Sequence, residues 1–168
     1  MDTITVSMEI NIPRTSNSKD DLPALEAHLG YWLRRVSNHV SGAFARALQG
    51  QQISVAEWVA LRLIWQQERV TPANLSEMIG MTRGAISKIV EKLETKGLAT
   101  RMDNPEDSRS QWVSLTRRGR SLVPKLADLA DKNDEHFFGC LNKPERATLR
   151  RLLEKLTDVH RFRDVPTE

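Results

Sequence analysis

The stretch TPANLSEMIGMTRGAISKIVEKLETKG, from Thr71 to Gly97, leaves a chain little choice of local structure. Thr71 followed by Pro72 supplies a helix N-cap and a proline at the first helical position, where its missing N–H is no loss. Leu75, Met78 and Ile79 then recur at helical spacing until Gly80, which can stop a helix by turning left-handed without a Cβ penalty. Thr82 caps a second helix whose apolar positions, Ile86, Ile89, Val90 and Leu93, fall on one face, and Gly97 ends it. Two short helices on either side of a Gly80-Met81 turn can cross steeply, which is the helix-turn-helix arrangement.

Burying Ile86, Ile89, Val90 and Leu93 turns the opposite face outward. That face is Gly84, Ser87, Lys88 and Glu91, with Thr82 and Arg83 at the N-terminal tip. Gly84 and Ala85 are small enough to let the helix end approach a phosphate or a base edge, and a helix N-terminus adds its own amides. Arg83, Ser87 and Lys88 donate hydrogen bonds of the kind that phosphates and base edges accept. Taken alone, the same residues also suit a solvated helix face, so the rest of the chain has to decide.

Upstream, Leu25, Leu29, Trp32, Val36, Val40, Ala43 and Ala47 step by threes and fours, predicting an amphipathic helix that ends near Gly50. Ser54 and Glu57 form a capping box for the next helix, which carries Trp58, Leu61, Ile64 and Trp65. After Gly97 the period changes. Leu98 to Met102 and Gln111 to Leu115 read as strands joined by DNPEDSRS, a loop of turn formers with Arg109 near its tip. An arginine on a protruding loop suits a narrow, electronegative minor groove, and Asp107 is placed to orient it. Helix-turn-helix plus such a hairpin is a winged helix.

Thr116 caps a long helix reaching about Phe138, and Pro144 opens a last one with Leu149, Leu152, Leu153, Leu156 and Val159 at helical spacing. At the other end, Ile4, Val6, Met8, Ile10 and Ile12 alternate like a strand without an evident partner. SNSKDD then reads as a polar linker ending in an N-cap, with Pro23 in the first helical turn. The net charge is only +3, but it is unevenly placed. Residues 71 to 120 hold 9 basic and 6 acidic side chains, whereas the segments before and after are balanced at 7 and 7 and at 9 and 9. A surplus confined to the helix-turn-helix and hairpin is a weak footprint of a polyanion-binding module that chance composition would also give, so the motifs decide.

These features, LSEMIGMTRGAISKIVEKLETKGL followed by NPEDSRSQWVSLTRRG, resemble the MarR family of bacterial transcriptional regulators over residues 25 to about 160. Asp107 and Arg109, then Leu115-Thr116 and Gly119, carry the distinctive part of the resemblance; Ser108 stands where the family commonly has a second basic residue. The resemblance implies a mainly α fold, a winged helix-turn-helix with N- and C-terminal dimerisation helices. Its domain plan is an extension over residues 1–21, dimerisation helices over 22–50 and 117–168, and a DNA-binding domain over 51–116. It further implies a homodimer on a pseudopalindromic double-stranded operator, recognition helices in the major groove and wings in the minor groove. The DNA-binding set expected is Thr82, Arg83, Gly84, Ala85, Ser87, Lys88, Asp107 and Arg109. Leu149, Leu152, Leu153 and Leu156 fit either a subunit interface or an internal core.

Family members typically bind small phenolic or aromatic anions between the dimerisation helices and the winged helix. Trp58, Arg62 and Trp65 share one helix face, and an arginine between two indoles can hold an aromatic carboxylate. His39 is a further lining candidate from the first helix. The competing reading makes the tryptophans core, Arg62 an ion-pair partner and His39 part of a solvated row with His28, Arg35 and Arg46. Cys140 reads as a buried structural thiol, and Asp131, Glu135 and His136 as solvated rather than metal-binding, so no metal or cofactor is expected.

The expected function is therefore a ligand-responsive repressor. The alternative is a winged-helix protein-interaction or architectural DNA-binding protein without ligand response. An enzyme is not expected, because no H-E-x-x-H, G-x-S-x-G, P-loop or G-x-G-x-x-G occurs. No apolar run approaches the ~18 residues of a membrane span, and MDTITVSMEINIP lacks a signal-peptide pattern, so the expected location is cytoplasmic.

Overall fold

The computed structural model describes residues 22–104, 110–162, 165 and 167. Six helices and three short strands follow one another as α1 (Leu29–Gln49), α2 (Val55–Gln67), β1 (Arg69–Val70), α3 (Pro72–Ile79), α4 (Arg83–Thr95), β2 (Ala99–Asp103), β3 (Gln111–Leu115), α5 (Arg117–Phe138) and α6 (Lys143–His160). The fold is thus mainly α with a winged helix-turn-helix, as the periodicities indicate. The strand-like alternation from Ile4 to Ile12 and the 16–21 linker lie outside the described residues.

Contacts divide the chain inside α1, after Arg35. In the first part the expected helix start at Pro23 is not found. Leu25–Ala27 instead make one 3-10 turn, His28 is extended, and α1 begins only at Leu29. The local reason is visible in the side chains. Trp32 Nε1 donates to the Glu26 carbonyl at 2.8 Å, folding the turn back onto the helix, and the Arg35 guanidinium lies 6.0 Å from both the Tyr31 and the Trp32 rings.

In the second part, side chains that accept backbone N–H bonds set the helix starts. Ser54 Oγ accepts from Glu57 N at 3.2 Å while the Glu57 carboxylate accepts from Ser54 N at 2.7 Å, closing the capping box of α2. Thr71, Thr82 and Thr116 each accept from the amide three residues on, at 3.1, 3.3 and 3.1 Å. Asn142 and Glu145 make a second capping box for α6 that the sequence reading missed. Gly80 at φ 78° and Gly97 at φ 66° supply the left-handed turns after α3 and α4.

The hairpin β2–β3 pairs Ala99 with Leu115 and Asp103 with Gln111. β1, which the sequence reading also missed, adds to the other edge of β3 through Arg69–Ser114 and Val70–Val113, giving the order β1-β3-β2. One core runs through Leu48, Leu61, Ile64, Leu75, Ile79, Ile86, Val90, Leu93, Leu98, Val113, Val123 and Leu126, all 2% exposed or less. It therefore continues without a break from the end of α1 into the first half of α5.

Candidate functional site

The four apolar positions of α4 are all buried, with Ile89 the most exposed at 8%. This orients the helix. Thr82, Arg83, Gly84, Ser87 and Lys88 are exposed, while Ala85 is half-buried and sits at the margin of that face rather than on it. A Cβ added at Gly84 would meet nothing within 4 Å, so the glycine is not required by packing inside the chain.

Charge pairing separates structural cations from available ones. Lys96 Nζ donates to both oxygens of the Glu57 carboxylate at 2.7 and 2.8 Å and to the Gln52 carbonyl at 2.7 Å, tying the end of α4 to the start of α2. Arg101 pairs with Glu94 at 2.9 Å, and its backbone amide donates to the same carboxylate, tying β2 to α4. Arg83, Lys88 and Lys92 make no ion pair among the described residues. Lys92 was missed by the sequence reading, although its position one helical turn after Lys88 was the available signal.

The Glu57 carboxyl has a displaced titration. Burial pushes its carboxyl up, but the hydrogen bonds from Lys96 and the Ser54 amide, with the Lys96 charge, outweigh burial and hold it below its ordinary value of 4.5.

The hairpin leaves the body on a firm base. Asn104, 7% exposed, donates from Nδ2 to Ser110 Oγ at 2.8 Å. Asp107 and Arg109, the expected wing contacts, lie outside the described residues. The Thr116 to Gly119 corner shows why those residue types stand there. Thr116 Oγ1 donates to the Gly97 carbonyl at 2.7 Å, Thr116 N donates to the Leu98 carbonyl at 3.0 Å, and a Cβ on Gly119 would collide with that same carbonyl.

The four expected effector residues differ in how far they are buried. Trp58 is half-buried and packs edge-on against Phe44, with ring centroids 6.3 Å apart. Arg62 is exposed and makes no ion pair among the described residues, Trp65 is 39% exposed, and His39 is exposed. Neither described cavity is lined by any of them. Cys140 departs from expectation. It is exposed just after α5, in the short 139–142 link to α6, where no core among the described residues covers it.

The apolar side chains of α6 are likewise uncovered. Leu149, Leu152, Leu153, Leu156 and Val159 are 37 to 66% exposed, and no residue of the helix is buried. The internal-core reading of these leucines is therefore ruled out within one chain. On α1, Leu29, Trp32, Leu33 and Val36 are also exposed.

The model of the MarR family matches residues 53–111, the winged helix-turn-helix itself. The HTH-type transcriptional repressor Rv2887 of Mycobacterium tuberculosis is 30% identical over 131 residues, which cover 78% of this chain and 94% of the repressor. The chain belongs to the MarR family. The organic hydroperoxide resistance transcriptional regulator of Bacillus subtilis is also 30% identical, over 67% of this chain and 76% of its own. Among solved structures, a cysteine-to-serine mutant of MarR from Escherichia coli complexed with operator DNA is 26% identical. It superposes with a TM-score of 0.68 over 76% of this chain and 92% of its own. This MarR-family protein is accordingly a transcriptional regulator and not an enzyme. No helix among the described residues is long and apolar enough to cross a membrane.

Proposed function

We propose that this MarR-family regulator is a homodimeric repressor that holds a pseudopalindromic double-stranded operator and leaves it when a small aromatic anion binds. The observation that carries the reading is the outward face of α4: two cations, Arg83 and Lys88, without an ion pair among the described residues, beside an open Gly84 on a helix whose other face is fully packed. Seating that helix in a major groove gives Arg83, Ser87 and Lys88 base edges and phosphates to donate to, while Thr82, Gly84 and Ala85 let its N-terminus come close. Asp107 and Arg109 then serve the minor groove from the wing. The Escherichia coli relative seen with operator DNA and the repressor from Mycobacterium tuberculosis support the same assignment.

Dimerisation follows from the uncovered apolar faces. A helix without a buried residue and with five half-exposed leucine and valine side chains has not completed its packing in one chain, and a second copy completes it symmetrically. In this plan residues 22–50 and 117–168 supply the pairing helices and 51–116 the DNA-binding domain, with the early part of α5 shared between them.

The effector site is assigned to Trp58, Arg62, Trp65 and His39. Arg62 is uncommitted, and the indole of Trp65 is partly free, so a carboxylate and a ring could be held if the partner subunit closes the other wall. Effector and operator would then oppose each other through the spacing of the two α4 helices, each favouring a different dimer geometry.

The test is fluorescence anisotropy on a selected operator with Arg83→Ala and Lys88→Ala. Each should cost about 1–3 kcal/mol on the specific site and less on random DNA. Equal losses on both DNAs would remove sequence recognition from these side chains.

A further inference from the structure

We infer that the cavity between the α1–α2 loop and one face of α5 is an oxyanion site, taking a phosphate- or sulfate-type group. The cavity is about 270 Å³, and α5 contributes Arg118, Ser121, Leu122 and Lys125, four residues stacked along one side of the helix. Gln52 and Lys96 stand among the residues opposite. No carboxylate lines it. Lys96 is already committed to Glu57, but Arg118 and Lys125 make no ion pair among the described residues, so two exposed cations line one solvent-facing hollow with the hydroxyl residue Ser121 and the amide residues Gln51 and Gln52.

The way α5 begins points the same way. Its first residues are Arg117, Arg118, Gly119 and Arg120, with no acid in the first turn. A helix N-terminus carries partial positive charge, so arginines there oppose helix stability. Glu57 and Glu145 stand in the first turns of α2 and α6, whereas α1, α3 and α4 carry no acid there, so the basic start of α5 supports the anion site only together with the cavity beside it. An anion beside Arg118 turns that repulsion into attraction.

The hollow is smaller than the ~300–1,000 Å³ typical of sites for drug-sized ligands, so it fits the anionic group rather than a whole aromatic effector. It is also separate from Trp58, Arg62, Trp65 and His39, none of which lines it. The group has two sources, a free phosphate-bearing small molecule or a phosphate of the DNA backbone.

The experiment titrates inorganic pyrophosphate, at constant ionic strength, into the full-length protein and into Arg118→Gln/Lys125→Gln, following the melting temperature. A saturable rise in the wild type, with apparent affinity weakened about tenfold or more in the double variant, establishes the site for a free anion. The variant without anion should melt no lower than the wild type. If it melts lower, Lys125→Gln alone takes its place in both assays.

The second arm measures the salt dependence of DNA affinity for both proteins. A slope shallower by about 1 for each lost contact, without a pyrophosphate effect, assigns the site to a backbone phosphate. That arm rests on the operator-binding reading, whereas the pyrophosphate arm does not, so a wild type that fails to bind DNA would refute that reading and leave the anion test intact. Equal pyrophosphate shifts in both proteins, or no shift together with unchanged slopes, would overturn the proposal.

Discussion

Replacing Lys96 by Met would strand the Glu57 carboxylate. The Glu57 side chain is 4% exposed, and with the ammonium gone its remaining hydrogen bonds come from Ser54. Removing one partner of a fully buried pair costs about 3–5 kcal/mol, while breaking an exposed pair costs at most ~1 kcal/mol. Lys96 is 34% exposed and Met preserves its apolar stem, so the expected cost lies between, at about 2 kcal/mol. The pH dependence gives a second readout. Because the folded carboxyl titrates below 4.5, the unfolded chain binds more protons between the two pKa values. The stability due to Glu57 is therefore fully present above the unfolded value and is lost as pH falls through the folded one.

In Lys96→Met burial acts without the counter-charge, the carboxyl moves up, and the sign reverses. The variant should recover relative to the wild type between pH 7 and pH 5. Urea unfolding at fixed protomer concentration measures both effects. A cost below about 0.5 kcal/mol that is the same at both pH values would refute the reasoning.

Gly84→Ala and Gly119→Ala should act in opposite directions. At Gly84 a methyl meets open space and helix propensity improves, so stability should rise by about 0.5 kcal/mol while operator affinity falls, read by calorimetry and anisotropy. At Gly119 the methyl runs into the Leu98 carbonyl, and a loss of about 2–4 kcal/mol is expected in urea unfolding. Glu68 ends α2 at φ 60° and ψ −45°, so Glu68→Gly should stabilise by about 1 kcal/mol, and a destabilised variant would show that the side chain matters more than the backbone. Arg62→Ala should abolish operator release by a small aromatic anion while leaving operator affinity within about twofold; persistent release would remove Arg62 from the effector site.

The helix-turn-helix was legible because each boundary has a local chemical cause. Thr71, Thr82 and Thr116 make the hydrogen bonds their positions imply, and Gly80 and Gly97 make the left-handed turns. Once Ile86, Ile89, Val90 and Leu93 are inside, the helical period fixes which side chains face out. What escaped the sequence depends on distant partners. The two residues of β1 form a strand only because β3 offers a free edge, and no pattern within two residues can announce that. The helix start at Leu29 turns on the Trp32–Glu26 bond rather than on Pro23. The division of cations into committed and available ones needs the Glu57–Lys96 and Glu94–Arg101 pairs, the first of them 39 residues apart in sequence. Cys140 was expected in a core because free cysteines usually are, but the α5–α6 link supplies none.

Operator binding is the central claim, and one titration addresses it most directly. Fluorescence anisotropy of the full-length protein on DNA from upstream of its own gene, across a range of salt and against random competitor, should show tight, competitor-resistant binding that weakens steeply as salt rises. Binding that is equally strong on random DNA, or absent at low salt on both, would contradict the assignment of α4 as the element that reads sequence.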